Sequence, residues 1–292
     1  MPLLLDASFR GLLRSVLPSP GRDRSREPAH GGSIAGFGPM TDQAITDKAV
    51  SQRVQARLAI GIAGLTKRFG ALAALEDVAL ALAPGALFGL VGANGAGKTT
   101  LIKCLLDLCD YDAGRIEIFG VASTRTGARQ RLAFLPERFS PPYYLTGADF
   151  LRFMMRMYGR RYEVAAARAM LDALDLAGEA LVKPVRAFSK GMTQKLGLAA
   201  CLLSERELLV LDEPTSGLDP KARALLKAQL RRQHEAGATL FLTSHSLPDV
   251  EELCDQMAVL HEGRVRFAGT PAALKQRYAT DSLEQAYLAC IA

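Results

Sequence analysis

The sequence predicts an α/β protein in which a parallel sheet is wrapped by helices and a helical lobe is set into it. Three patterns predict this. Along residues 58–275, short apolar runs bounded by glycine, proline or acidic residues alternate with helical patterns, and alternation of that kind builds a parallel sheet. One run, 86–91, holds only apolar residues and glycine and leads directly into a glycine-rich loop, as a buried central strand does. A helix-rich block at about 147–204 interrupts the alternation and is expected to form a lobe of its own.

Taken in order, 58–65 and 74–82 read as strands, followed by the 86–91 strand, and 99–107 reads as a helix. Runs 115–119 and 132–135 are short strands. After the helical block, 208–211 is a strand, 221–235 a helix and 239–243 a strand. Beyond Leu260, residues 261–271 read as a hairpin followed by a helix that starts at Pro271, where a missing N–H costs nothing. The remaining tail, 276–292, is short and helical in pattern.

The chain's first 57 residues stand apart as an expected flexible extension. Residues 18–39 include four Pro, five Gly and three Ser, with Arg22, Arg24 and Arg26 among them, and such a composition cannot bury a core. Ahead of it, Leu5, Phe9, Leu12, Leu13 and Val16 share a helical face. That stripe fits either a short membrane-surface helix or an unstructured extension ahead of a second start at Met40; being short and uncapped, it favours the extension. It lacks the basic leader and small-residue cleavage site of a secretory signal.

Composition narrows the function. The net charge of +6 suits a protein that handles phosphates or works near acidic headgroups and is too small to argue for nucleic acid. The five cysteines, at 104, 109, 201, 254 and 290, are dispersed, without metal-ligand spacing, as expected of reduced thiols; Cys104 and Cys201 lie in apolar helical stretches and read as core. No run reaches the ~18 apolar residues a bilayer span requires, so spans serving a membrane process would come from another chain. His30, His234 and His261 have no chemical context and read as surface residues.

The strongest feature is the run Gly92, Ala93, Asn94, Gly95, Ala96, Gly97, Lys98, Thr99, an instance of GxxxxGK[ST] between an apolar strand and a helix that continues with Thr100. Its glycines let successive backbone N–H groups converge on phosphate oxygens, and the helix N-terminus adds its positive end. Lys98 is placed to hold the β- and γ-phosphates and the Thr99 hydroxyl to ligate Mg²⁺. The second feature is the apolar strand 208–211 ending in Asp212 and Glu213. Asp212 can reach the Mg²⁺ shell, and Glu213, one residue on, can polarise an attacking water as general base.

Here the chain resembles the ABC ATPase family. The run Ser189, Lys190, Gly191, Met192, Thr193, Gln194 resembles a variant of the signature motif; Ser216 to Asp219 resembles the D-loop; Thr243, Ser244, His245 resembles the switch histidine; and Phe69 matches the aromatic that stacks on adenine. The resemblance covers roughly residues 58–270 in the family's order. It implies a P-loop NTPase of the ABC ATPase fold, with a mixed sheet core, an antiparallel β subdomain and a helical lobe at about 140–204. It also implies a head-to-tail dimer with ATP gripped between the phosphate loop of one subunit and the signature motif of the other. The chemistry of the residues agrees: Ser189 and the Gly191 N–H open a helix, a second anion-binding end, and one phosphate cluster satisfies two such ends only when shared. His245 is then expected to contact the γ-phosphate and Asp219 to lie at the shared site.

One position departs from the family's usual pattern. Where the family places a glutamine that senses Mg²⁺ and the membrane partner, this chain has Glu137 after Pro136. Leu-Pro-Glu here together with Ser-Lys-Gly-Met in the signature resembles type-2 exporter ATPases, and Glu137 is carried as a residue of the Mg²⁺ site on that basis. The resemblance further implies a membrane-spanning permease, received by the helical lobe through residues 138–145 and an exposed edge of the stripe Phe150, Phe153, Met154, Met157 and Tyr158. Most of that stripe is expected to pack the lobe's own core. The other readings are an ATPase that drives import or moves lipid, and a soluble ABC-type ATPase; the lack of long coiled coils or a zinc cluster counts against repair members and the single phosphate loop against translation members, while against a small cluster-assembly ATPase only the resemblance to exporters counts.

Overall fold

The structure, a computed structural model, describes residues 58–292. The N-terminal extension, with its apolar stripe and His30, lies outside the described residues.

Two sheets organise the chain. The first is antiparallel, in the order β2-β1-β4-β5, from strands β1 (Ile60–Phe69), β2 (Leu72–Leu82), β4 (Ala113–Ile118) and β5 (Val121–Ala122). The second has the order β10-β9-β3-β8-β7-β6 and is built from β3 (Leu87–Val91), β6 (Leu132–Leu135), β7 (Leu208–Leu211), β8 (Thr239–Ser244), β9 (Gln256–His261) and β10 (Arg264–Gly269). All its neighbours pair in parallel except β9 and β10, which form the hairpin read from the sequence. A mixed sheet beside a separate antiparallel one is the arrangement the family resemblance implies, whereas strand-helix alternation by itself indicates only the parallel part. Alternation reports βα units but cannot reveal that β1, β2, β4 and β5 form a sheet of their own.

Strand ends were the least legible. The strand read as 58–65 runs on to Phe69, because its outer arm pairs with β2 at Arg68↔Ala73 and Phe69↔Leu72. Lys67 and Arg68 hide that arm: a ladder hydrogen bond requires no apolar side chain. In contrast, β6 and β7 match the sequence reading residue for residue, both being short and apolar, with β7 wholly buried and β6 buried but for Phe134.

The helix α1 (Lys98–Leu105) lies between the sheets, and its Leu101, Ile102, Cys104 and Leu105 are buried in one core with β1, β2 and β4. A second core joins the other face of the mixed sheet to the helical lobe of α2 (Gly147–Met157), α3 (Val164–Ala173) and α4 (Lys190–Leu203). Phe150, Leu151, Leu171 and Leu198 pack there with Leu135, Leu209 and Leu211, so the lobe shares its core with the sheet. At about 25 cal/mol per Å² of apolar surface removed from water, this continuity holds lobe and sheet together more strongly than surface contacts would. A polar tie adds to it: Lys221, in α5 (Pro220–Glu235), reaches Asp175 Oδ1 at 2.7 Å, and Lys195 of α4 donates to the Asp175 carbonyl at 2.7 Å.

The helix α6 (Leu247–Leu253) covers β3 and β8, and the chain closes with α7 (Pro271–Arg277) and α8 (Leu283–Ile291). The tail is part of the body, since Leu283 and Ala286 are buried in the second core. Among the described residues no helix is long and apolar enough to cross a membrane. Cys104 and Cys201 are core residues, as expected. His234 and His261, expected at the surface, are half-buried, and His234 Nε2 lies 3.2 Å from Asp255 Oδ2.

Candidate nucleotide site

Register places the chemistry. In the parallel ladder Leu135 lies opposite Leu211, Leu211 opposite Leu242, and Leu90 opposite Thr243, so β3, β6, β7 and β8 all end on the same side. Ligands of open α/β sheets bind beyond such carboxyl ends. There the structure has a cleft of about 710 Å³ into which the phosphate loop, Glu137, Asp212, Glu213 and His245 all open.

The loop from Gly92 to Gly97 carries the chain from β3 into α1. Gly97, at φ 109°, precedes the helix, and no side chain caps the first turn. The N–H groups of Lys98, Thr99 and Thr100 therefore have no partner within the helix and face the cleft, with no acidic residue in that turn to compete. Ala93, Asn94 and Gly95 complete the rim, while Ala96 is buried beneath it. The Lys98 ammonium folds back under the loop, donating to the Gly92 carbonyl at 2.7 Å and lying 3.5 Å from Glu213 Oε1. Both side chains of that pair are only 7% exposed, so the charges meet in a poorly screened setting.

Opposite the loop, Asp212 and Glu213 leave β7 in different directions. Asp212 Oδ2 accepts from the Thr99 hydroxyl at 3.2 Å and Asp212 Oδ1 from the Thr243 hydroxyl at 2.6 Å. Burial raises the Asp212 carboxyl above the ordinary range; these two hydroxyls oppose the rise, and the neighbouring charges of Glu137 and Glu213 add to it. Glu213 has a positive φ of 49°, a left-handed backbone that costs a non-glycine residue about 1–3 kcal/mol. That turn aims the Glu213 N–H at Thr243 Oγ1, 2.9 Å away, and its carboxylate at His245, whose Nδ1 lies 2.8 Å and whose N–H lies 3.3 Å from Oε2.

The sequence-derived residues divide by location. Phe69 ends β1 at the cleft's mouth, 51% exposed, with Lys67 Nζ 5.0 Å from its ring centroid, so one face of the ring is free to stack. Glu137 is exposed on the rim rather than set among the buried carboxylates. Ser189, Gly191 and Asp219 do not line this cleft. Ser189 caps α4, accepting from the Met192 N–H at 3.2 Å, and Asp219 caps α5, accepting from the Ala222 N–H at 2.9 Å. Sequence reasoning missed Arg138 and the Glu262–Gly263 turn as parts of the cleft wall, and it quoted Ser216 only as the start of the D-loop and Thr243 only as part of the motif ending in His245. Thr243 sits one register step from the Asp212 strand end, the signal that would have found it.

The donor set fits a magnesium nucleotide. Unpaired N–H groups, an ammonium and a helix N-terminus suit phosphate, and a hydroxyl 3.2 Å from a carboxylate gives the hard oxygen ligands Mg²⁺ requires. A phosphate loop between a central strand and a helix, facing a carboxylate pair at the end of a neighbouring strand, defines a P-loop NTPase.

Comparison with known proteins narrows the class. Residues 75–216 match the family model described as ABC transporter. Over 230 residues the chain is 38% identical to a daunorubicin resistance ATP-binding protein of Streptomyces coeruleorubidus, covering 77% of this chain and 72% of that protein. A Nod factor export ATP-binding protein I of Rhizobium sp. is 35% identical, with 76% of this chain and 74% of the relative covered. Among solved structures, an ATP-binding subunit of an ABC transporter superposes with a TM-score of 0.73 at 31% identity, over 80% of this chain and 99% of that one. The chain belongs to the ATP-binding proteins of ABC transporters. It is an ATP-binding and ATP-hydrolysing subunit, of a kind that dimerises and works with a membrane permease.

Proposed function

We propose that this chain drives export through a separate membrane-spanning permease, lying against the cytoplasmic face of the membrane as one of two identical ATPase subunits. The observation that carries the reading is the split of the phosphate-binding groups. The loop at 92–100 opens into the cleft, whereas the signature helix end at Ser189 and Gly191 does not. A second copy, head to tail, would bring its Ser189, Gly191 and Asp219 to the triphosphate, making ATP the cement of the dimer. The export direction is supported by the relatives' names and by Glu137 with the Ser-Lys-Gly-Met signature.

Within one subunit, Phe69 stacks the adenine while the N–H groups of the loop and Lys98 grip the phosphates. Thr99 and Asp212 would hold Mg²⁺, with the rim residue Glu137 as a further oxygen donor. The ion, when bound, neutralises charge on the phosphate oxygens. Glu213 takes the proton of the attacking water, and His245, hydrogen-bonded to its carboxylate, keeps that carboxylate aimed and reaches the γ-phosphate. Residues 138–145 with Phe153 and Met157, which are 50% and 66% exposed, form the surface for the permease; Phe150 is committed to the core. The ATPase domain would span 58–275, with 1–57 as an extension and 276–292 as a tail.

The test is a pull-down of full-length Glu213→Gln protein from native membranes with ATP present. Recovery of an ATP-dependent dimer with a polytopic membrane protein in near-equal amount is expected. A monomer with normal turnover would sink the mechanism, and soluble partners alone would move the reading to a soluble ABC machine.

A further inference from the structure

We infer that Thr243 is the positioning residue that sets the Asp212–Glu213 pair for catalysis, an inference that rests on the ATPase reading of the site. Its hydroxyl is wholly committed. Thr243 is 0% exposed, so no water competes for it. The Glu213 N–H can only donate, and it reaches Thr243 Oγ1 at 2.9 Å. An ionised Asp212 can only accept, and its Oδ1 lies 2.6 Å from the same oxygen. The single hydroxyl proton must therefore go to Asp212 while a lone pair takes the Glu213 N–H. No other arrangement satisfies all three groups.

The consequence follows from geometry. The bond to Oδ1 fixes the rotation of the Asp212 carboxylate, and so turns Oδ2 toward Thr99, 3.2 Å away. The bond from the Glu213 N–H offsets part of the cost of its left-handed backbone, and that backbone directs the Glu213 side chain to Lys98 and His245. One hydroxyl thus couples the orientation of the metal-holding carboxylate to that of the water-activating one. The neighbouring strand supplies it: Thr243 lies opposite Leu90 in β3, one step beyond the Leu211↔Leu242 pair of β7 and β8. A β-branched side chain there has little χ1 freedom, so the hydroxyl stays aimed without help from solvent.

The test uses the full-length chain with Thr243→Val, which keeps the shape and removes the hydroxyl, and Thr243→Ser, which keeps the hydroxyl. ATPase kinetics, ATP binding with and without Mg²⁺, and hydrogen exchange at the Glu213 amide are read for each. Thr243→Val is expected to lower kcat roughly 10- to 100-fold, the effect of a misplacement of about 1 Å in a reacting group. ATP binding without Mg²⁺ stays unchanged, Mg²⁺-dependent tightening is reduced, and exchange at the Glu213 amide accelerates. Thr243→Ser is expected to restore all three. Thr243→Val with wild-type kcat and amide protection overturns the proposal, as does loss of metal-free ATP binding in proportion to kcat, which would indicate general unfolding. Should the valine variant not fold, Thr243→Cys against Thr243→Ser decides: a thiol is a weak donor and acceptor, so the cysteine variant should be slow, and equal rates overturn the proposal. Absence of ATPase activity in the wild-type chain would instead refute the reading of the site itself.

Discussion

Gly92→Ala should cripple nucleotide binding, and the structure indicates by how much. A Cβ at Gly92 would lie 2.4 Å from the backbone oxygen of Leu260 and 3.1 Å from Ala96 Cβ. Carbon contacts settle at about 3.5–4.0 Å, so the two groups must part by about 1 Å. Leu260 cannot retreat: it belongs to β9, held between β3 and β10, and the turn after it is tied to the phosphate loop by the Gly263 N–H to Ala96 carbonyl bond at 3.0 Å. The loop must move instead. Overpacking of this kind costs roughly 1–3 kcal/mol. If that strain falls on the conformation that binds phosphate, affinity for ATP drops about 10- to 100-fold, at ~1.4 kcal/mol per decade. Gly95→Ala is the control. Its Cβ would meet nothing within 4 Å, and only its φ of +83° is strained, a cost of about 1–2 kcal/mol without a clash. Titration calorimetry with ATP, alongside thermal melts, separates the two. If Gly92→Ala binds like wild type, or if Gly95→Ala is the worse variant, the close approach of β9 does not limit the loop.

Two further predictions come from titratable groups. Burial pushes the Cys104 thiol up to about 11 and the Cys201 thiol up to about 12, and raises Cys254 as well, so all three should resist alkylation in the native protein at neutral pH. Mass mapping after brief alkylation should find label at the half-exposed Cys109 first, ahead of Cys290, whose thiol burial also raises; early modification of Cys201 would contradict the packed core. Glu252 is held below the usual carboxylate range by hydrogen bonds from Lys227 and then Arg231. A lowered folded pKa means its contribution is complete above the ordinary carboxylate value of 4.5 and is lost as pH falls through the folded value. Glu252→Gln should thus be less stable than wild type at neutral pH by about 0.2–1 kcal/mol, the usual range for exposed pairs, and the gap should close in strong acid. Denaturant melts at the two pH values check it, and a gap that widens in acid refutes the pairing.

Some of the molecule was written locally. GxxxxGK[ST] needs only neighbours in the chain, so the loop, Lys98 and Thr99 could be read directly, as could β6 and β7, whose apolar runs admit no other environment. The helix start at Pro271 was legible for the same reason, since a proline at the first helical position marks it locally. What depends on strands meeting across distance was not. The pairing of β1 with β2 and β4, the outer arm of β1 beneath Lys67 and Arg68, and the burial of the tail in the main core all arise from partners far along the chain.

The site divides in the same way. The sequence alone determined which groups are present and in what order, because a phosphate loop and a carboxylate pair are encoded by adjacent residues. Only the tertiary structure decided how they face one another: that Lys98 lies 3.5 Å from Glu213, that His245 meets Glu213 at 2.8 Å, and that Thr243 stands between the carboxylates. The physical reason is register. Asp212 and Thr243 are 31 residues apart, and only the parallel ladder of β7 and β8 sets them side by side.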